Sequence, residues 1–171
     1  MLGRPEKTEY PAAVGTYIEQ VNEEDIVKYL REQMDRTLAL LQPLSQAQWE
    51  YRYQPEKWSV KEVIGHLMDN ERIASYRMLR IARGDTTPLS GYDENIYAKN
   101  AGYHDMAPEV IMEDYRTARE GTLAIMRSAP PEAWLLVGSA NGAAITARAV
   151  AYMIAGHERH HIQVLQERYR L

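Results

Sequence analysis

Thr146–Tyr169 reads TARAVAYMIAGHERHHIQVLQERY. Thr146 suits an N-cap, and Val150, Ile154, His157, His161, Val164 and Arg168 recur at steps of three and four, the inward stripe of one helix over about 146–169. Two of the six are histidines spaced i,i+4, one turn apart on the same face, so their imidazoles can converge on one point. A buried imidazole pair needs a polar partner, because each unsatisfied nitrogen costs free energy. A metal ion held by nitrogen is one such partner.

The segment Gly156-His157-Glu158-Arg159-His160-His161 also contains H-E-x-x-H, in which two histidines hold zinc and the glutamate is a general base. The extended form of that motif requires glycine where Val164 stands and histidine where Glu167 stands, so a zincin is excluded. A di-iron carboxylate bundle needs a second E-x-x-H and further inward glutamates. Glu62 and His66 have the wrong spacing for it, and the first helix offers no inward glutamate. Glu158 lies about 100° around the helix from His157, on the outer face or in a helix contact, which makes it a weak catalytic candidate. His160, about 60° away, is a neighbour, an interface residue or solvated.

Three further helices are predicted upstream. Over about 23–42, Ile26, Leu30, Met34, Leu38 and Leu41 form one apolar face, and Pro43 stops it. Over about 60–83, Ser59 and Glu62 form a capping box and Gly84 closes the helix. Over about 108–128, Pro108 opens the first turn, Val110, Tyr115, Ala118, Leu123 and Met126 face inward, and Pro130-Pro131 follows. No convincing strand is present, so the fold class is all-α, a four-helix bundle. Residues 1–22, with Pro5, Pro11 and Gly15, read as an extended arm. The linker from Gly84 to Met106 could span roughly 70 Å against about 36 Å for a 24-residue helix. It can therefore cross the bundle end to end, making the second and third helices parallel in an up-down-down-up order.

The chain of 171 residues fits one domain, 1–171, able to bury a core without staples. Cysteine is absent, which suits a reducing cytoplasm and excludes a protein thiolate as nucleophile or ligand. The net charge is −4, from 20 basic and 24 acidic residues, with no basic block, so nucleic acid is not an expected partner. No apolar run is long enough to cross a membrane. Phenylalanine is absent against 12 tyrosines and 3 tryptophans, and this bias has no functional reading.

The third ligand for the pair is His66 or His104. His66 lies on the line Val63, His66, Asn70, Ile73, well inside its helix as His157 and His161 are inside theirs, so it is preferred over His104 in the linker. Glu62, Asp69 and Asn70 could orient a ligand ring, Asn70 being the weak catalytic candidate among them, while solvation is the commoner role for the two acids. A His₃ site would leave positions open for water or substrate. The alternative is a non-catalytic bundle, metal-carrying or dimerising, in which the histidines are a polar core.

The stretches YRYQPEKWSVKEVIGHLMDNERIASYRMLRIARGD (51–85), GYDENIYAKNAGYHD (91–105) and ITARAVAYMIAGHERHHIQVLQERY (145–169), with the arm EYPAAVGTYIEQV (9–21), resemble the DinB-like superfamily, which includes YfiT-like metal-dependent hydrolases. The resemblance implies that His66, His157 and His161 bind a divalent ion, zinc or nickel, with iron or manganese also compatible. It further implies the up-down-down-up order, a homodimer and a small-molecule substrate. The reaction would be hydrolysis by activated water or transfer of a low-molecular-weight thiol such as bacillithiol or mycothiol. In relatives the linker covers the mouth of the site, so Tyr92, Asp93 and Tyr97 are the expected substrate contacts.

Overall fold

The computed structural model describes residues 3–171, and residues 1 and 2 of the expected arm lie outside the described residues. The arm is not extended. A 3₁₀ turn, Lys7–Glu9, precedes helix α1 (Ala12–Ile18), for which Pro11 is the N-cap. A seven-residue helix is marginal alone in water, and α1 persists by packing on the last helix. The first long helix, α2 (Ile26–Leu41), is capped by Asp25, whose Oδ1 accepts from the Lys28 amide at 3.1 Å. After the short α3 (Gln46–Glu50), α4 (Val60–Ala82) opens on the Ser59/Glu62 capping box expected of it.

The linker is more ordered than a plain crossover: it contains α5 (Glu94–Asn100) and a 3₁₀ turn, Tyr103–Asp105. Helix α6 (Pro108–Arg127) begins with its proline in the first turn. A hairpin absent from the sequence-based expectation follows, β1 (Val137–Ala140) antiparallel to β2 (Ala143–Thr146). Its turn is Asn141-Gly142, with φ of 51° and 76°, the left-handed pair that a two-residue hairpin turn requires. Helix α7 (Ala147–Tyr169) starts directly from β2, with the Thr146 hydroxyl capping the Ala149 amide at 3.2 Å.

Cross-helix contacts give the topology. Helices α2 and α7 run together, since Gln33 meets Ala155 and, further along both, Thr37 meets Glu158. Helices α4 and α6 run together, since Asp69 meets Tyr103 just ahead of α6 while Arg83 meets Ser128 just beyond it. Helix α4 opposes α7: the Trp58 carbonyl, ahead of α4, accepts from Tyr169 at the end of α7, and His66 meets His157. The order is up-down-down-up, and the linker crosses the bundle end to end.

Two apolar clusters fill the bundle. One contains Ile26, Leu30, Met78, Leu123 and Val150, and the other Met34, Val60, Ile64, Ile111 and Leu165. Between them lies a buried polar layer. Arg119, with 0% of its surface exposed, donates to both Glu71 oxygens (2.6 and 3.0 Å), to Glu158 and to the Leu30 carbonyl (2.8 Å). Tyr115 and Thr37 donate to the other Glu158 oxygen at 2.7 and 2.6 Å. All four long helices contribute to this one network.

Some inner-face expectations shift. Val110 is exposed and Ile111 takes its place, because α6 turns Tyr115 and Arg119 to the centre. On α7 the stripe leaves Arg168 in solvent and Val164 half-buried, while Leu165 and Tyr169 continue inward from His161 in steps of four.

Helix α1 meets α7 at Gly156, where a Cβ would stand 2.0 Å from the Tyr17 carbonyl oxygen. Alanine usually stabilises a helix interior over glycine by about 1 kcal/mol. Here Gly156→Ala is expected to destabilise by about 1–3 kcal/mol through overpacking, with faster proteolysis within residues 3–21, measured by urea unfolding and limited digestion. Arg119→Met leaves two buried carboxylates without a cation and is expected to cost about 3–5 kcal/mol in the same unfolding assay.

Candidate metal centre

His66 is placed by α4, and His157 and His161 by α7. The Nε2 atoms of His66 and His157 are 3.0 Å apart, and one ligand nitrogen from each of the three rings lies within 4.8 Å of the others. The ring centroids are 4.6–4.9 Å apart. His66 and His157 are buried and His161 is half-buried. Two nitrogens bound at about 2.0–2.1 Å to one ion and 3.0 Å apart would subtend roughly 95°, an angle a single coordination sphere accommodates. The donor set therefore fits one divalent cation, and among the described residues it is the one His, Asp and Glu cluster close enough to do so.

Burial sets the protonation of the rings. Desolvation, with mutual repulsion from the neighbouring imidazoles, holds His157 well below its ordinary pKa and His161 at about 3. His66 is also lowered by burial, partly offset by the charges of Glu94 and Asp69. At neutral pH all three are uncharged, the state that ligates metal.

A cavity of about 330 Å³ opens over the rings. Trp58 packs against His66 with centroids 4.9 Å apart and the rings tilted by 42°, and Tyr17 of α1 meets His157 edge-on at 5.2 Å. Asn70 and Tyr92 reach the cavity together, the Asn70 amide donating to the Tyr92 hydroxyl at 2.8 Å. His160 also lines it, with its ring 5.6 Å from that of Tyr17. The hairpin contributes Asn141 to the lining, and Leu89 of the linker exchanges backbone hydrogen bonds with Ser139 and Asn141, each 2.9 Å.

Several sequence-predicted residues lie elsewhere. Glu158, a weak catalytic candidate, does not line the cavity; of its two expected places it takes the helix contact, 2% exposed and occupied by Arg119, Tyr115 and Thr37. Asp93 caps α5 through the Asn95 and Ile96 amides and does not line the cavity. Tyr97 is exposed and reaches the site only through its ring contact with Tyr92 at 4.9 Å. His104 is exposed beside Asp105, away from the other histidines. Glu62 is held by its capping box and Arg52, and Asp69 accepts from Tyr103. Tyr17, Trp58, Arg77, Glu94 and Asn141 line the cavity without having been singled out in the sequence. The Asn141-Gly142 turn was the one local signal among them.

A family model of the DinB superfamily matches residues 29–165. The chain belongs to the DinB superfamily. Among solved structures, YfiT from Bacillus subtilis, described as a probable metal-dependent hydrolase with an unusual four-helix bundle topology, superposes with a TM-score of 0.71 at 16% identity, covering 97% of this chain and 91% of that one. A mycothiol-dependent maleylpyruvate isomerase gives 0.67 at 16% identity, over 85% of this chain and 61% of that one. A DinB-like protein from Bacillus subtilis gives 0.61 at 20% identity, over 86% and 90%. No curated protein matches this DinB-superfamily chain. No described helix is long and apolar enough to cross a membrane.

The depressed histidines have a measurable consequence in metal-free protein. In the unfolded chain a histidine takes up its proton near the ordinary 6.5, whereas folded His161 resists until about 3. The unfolded state binds more protons between those values, so stability is lost as pH falls below 6.5, at roughly 1.4 kcal/mol per pH unit per histidine. The thermal midpoint of the metal-free protein is expected to fall more steeply between pH 7 and 5 than that of His161→Gln. Equal slopes would contradict the assignment.

Proposed function

We propose that this chain is a metal-dependent enzyme acting on a small molecule, with His66, His157 and His161 holding one divalent cation at the floor of the cavity. The observation that supports this most directly is the convergence of three uncharged imidazoles, from two helices, beneath a cavity of small-molecule size. Zinc and nickel are the favoured ions, with iron and manganese compatible with the same ligands. When bound, the cation supplies Lewis acidity that activates either water or an external thiol as nucleophile.

The residues around it have separable tasks. Trp58 and Tyr17 flank His66 and His157, limiting water at the ligand rings and fixing their orientation. Burial raises the Tyr92 pKa, so its hydroxyl stays protonated and, held by Asn70, can donate a hydrogen bond to a substrate oxygen. Glu94 stands at the mouth, where its charge acts on His66, Tyr17 and Tyr92, and offers a proton acceptor there. The absence of cysteine means that any sulfur nucleophile comes from outside.

Tag-free protein stripped with chelator and reloaded is expected to bind one equivalent of zinc or nickel by elemental analysis, and His157→Ala to lose it. Substoichiometric metal unaffected by His157→Ala would remove the proposal. Metallated protein incubated with a low-molecular-weight thiol and monochlorobimane then separates the two reactions: conjugation above the metal-stripped control indicates thiol transfer, and turnover of esters or amides indicates hydrolysis.

A further inference from the structure

Arg77 stands apart from the other arginines that are not solvent-exposed. Arg80 pairs with Asp85, Arg119 with Glu71 and Glu158, and Arg148 with Glu9. Arg77 forms no ion pair with any described residue; its Nη2 donates to the Ser90 carbonyl at 2.5 Å, and it lines the histidine cavity. A guanidinium carries five N–H donors in a planar fork that matches an oxyanion, and the Ser90 carbonyl uses one edge of it. Burial lowers its pKa, a sign that the group has lost hydration without gaining a counter-charge. Glu94 lines the same cavity, and its charge acts on Tyr17, His66 and Tyr92, but it forms no ion pair with Arg77.

The spacing along α4 sets a ruler. His66 and Arg77 are eleven residues, or three helical turns, apart on one face, a rise of about 16 Å. Helical side chains lean toward the N-terminus at both positions, so only the longer reach of arginine shortens that rise, leaving on the order of 10–15 Å between the two. Asn70 and Tyr92 lie between these ends.

We infer that the substrate is an elongated anion, with its reacting group at His66, His157 and His161 and a carboxylate or phosphate at its far end paired with Arg77. The inference rests on the metal-enzyme reading above and adds to it a substrate class. The hairpin completes the distal end: Asn141 reaches over Gly91, where a Cβ would lie 2.2 Å from its Oδ1, so the linker is clamped beside Ser90 and the acceptor that orients Arg77 is fixed.

Cobalt-loaded protein tests this with thiol probes that differ only in the tail. The thiolate-to-cobalt absorption band reports the metal end, while ω-mercaptocarboxylates, ω-mercaptophosphonates and ω-mercaptoalkanols of matched length report the distal end. Anionic tails are expected to bind at least about tenfold tighter than the alkanol, as a charge-assisted hydrogen bond gives, with an optimum near a span of about 10–15 Å. The stronger of the carboxylate and phosphonate arms identifies the anion. In Arg77→Gln the preference is expected to vanish while the probe-free cobalt spectrum stays as in the parent protein; Arg77→Lys should retain part of it. Equal affinity for charged and neutral tails in the parent protein, or a preference that survives Arg77→Gln, overturns the inference and leaves the metal site standing. Failure to bind cobalt at all overturns both.

Discussion

The architecture depends on one buried cation. Arg119 is removed from water at the middle of the bundle, and an arginine there is tolerated only with complete pairing. Glu71 from α4 and Glu158 from α7 provide the charge, the Leu30 carbonyl of α2 takes a further donor, and Tyr115 and Thr37 complete Glu158. Apolar packing alone would let the four helices slide or rotate at small cost, since hydrophobic contact is non-directional. The hydrogen bonds in this layer are directional, and they set depth and rotation together.

That constraint reaches the three histidines through adjacency. Glu158 follows His157 in sequence and projects about 100° around α7 from it. With Glu158 drawn to Arg119 at the bundle centre, His157 and His161 have only one direction left, toward His66 on α4. The residue that looks catalytic in H-E-x-x-H thus acts as the rotational anchor of the helix that carries His157 and His161. Glu71 does the same for α4, five residues beyond His66.

The cavity around the rings is assembled from segments with little independent stability. Helix α1 is held by its seat at Gly156 and brings Tyr17 to His157. The hairpin is pinned to the linker at Leu89 and brings Asn141 to the far end, where Arg77 forms no ion pair with any described residue. The bundle supplies the three converging imidazoles, and the peripheral pieces supply shape and polarity.

Much of this was legible in the chain itself. The capping signals at Ser59, Pro108 and Thr146, the stop at Pro43 and the apolar periods sufficed for four helices, and linker length sufficed for the parallel pair. The i,i+4 histidines and the depth of His66 in its own helix singled out the three rings. Arg119, Glu71 and Arg77 were not legible, because a charged residue in a helix reads locally as a solvated one. Their partners lie on other helices or on the linker, up to 89 positions away for Arg119 and the Leu30 carbonyl. Helix α1 and the orientation of Glu158 were likewise decided by tertiary structure. Local spacing determines which side chains one helix presents together; which charge meets which, and which short segment is held in place, follows only when distant surfaces exclude water from one another.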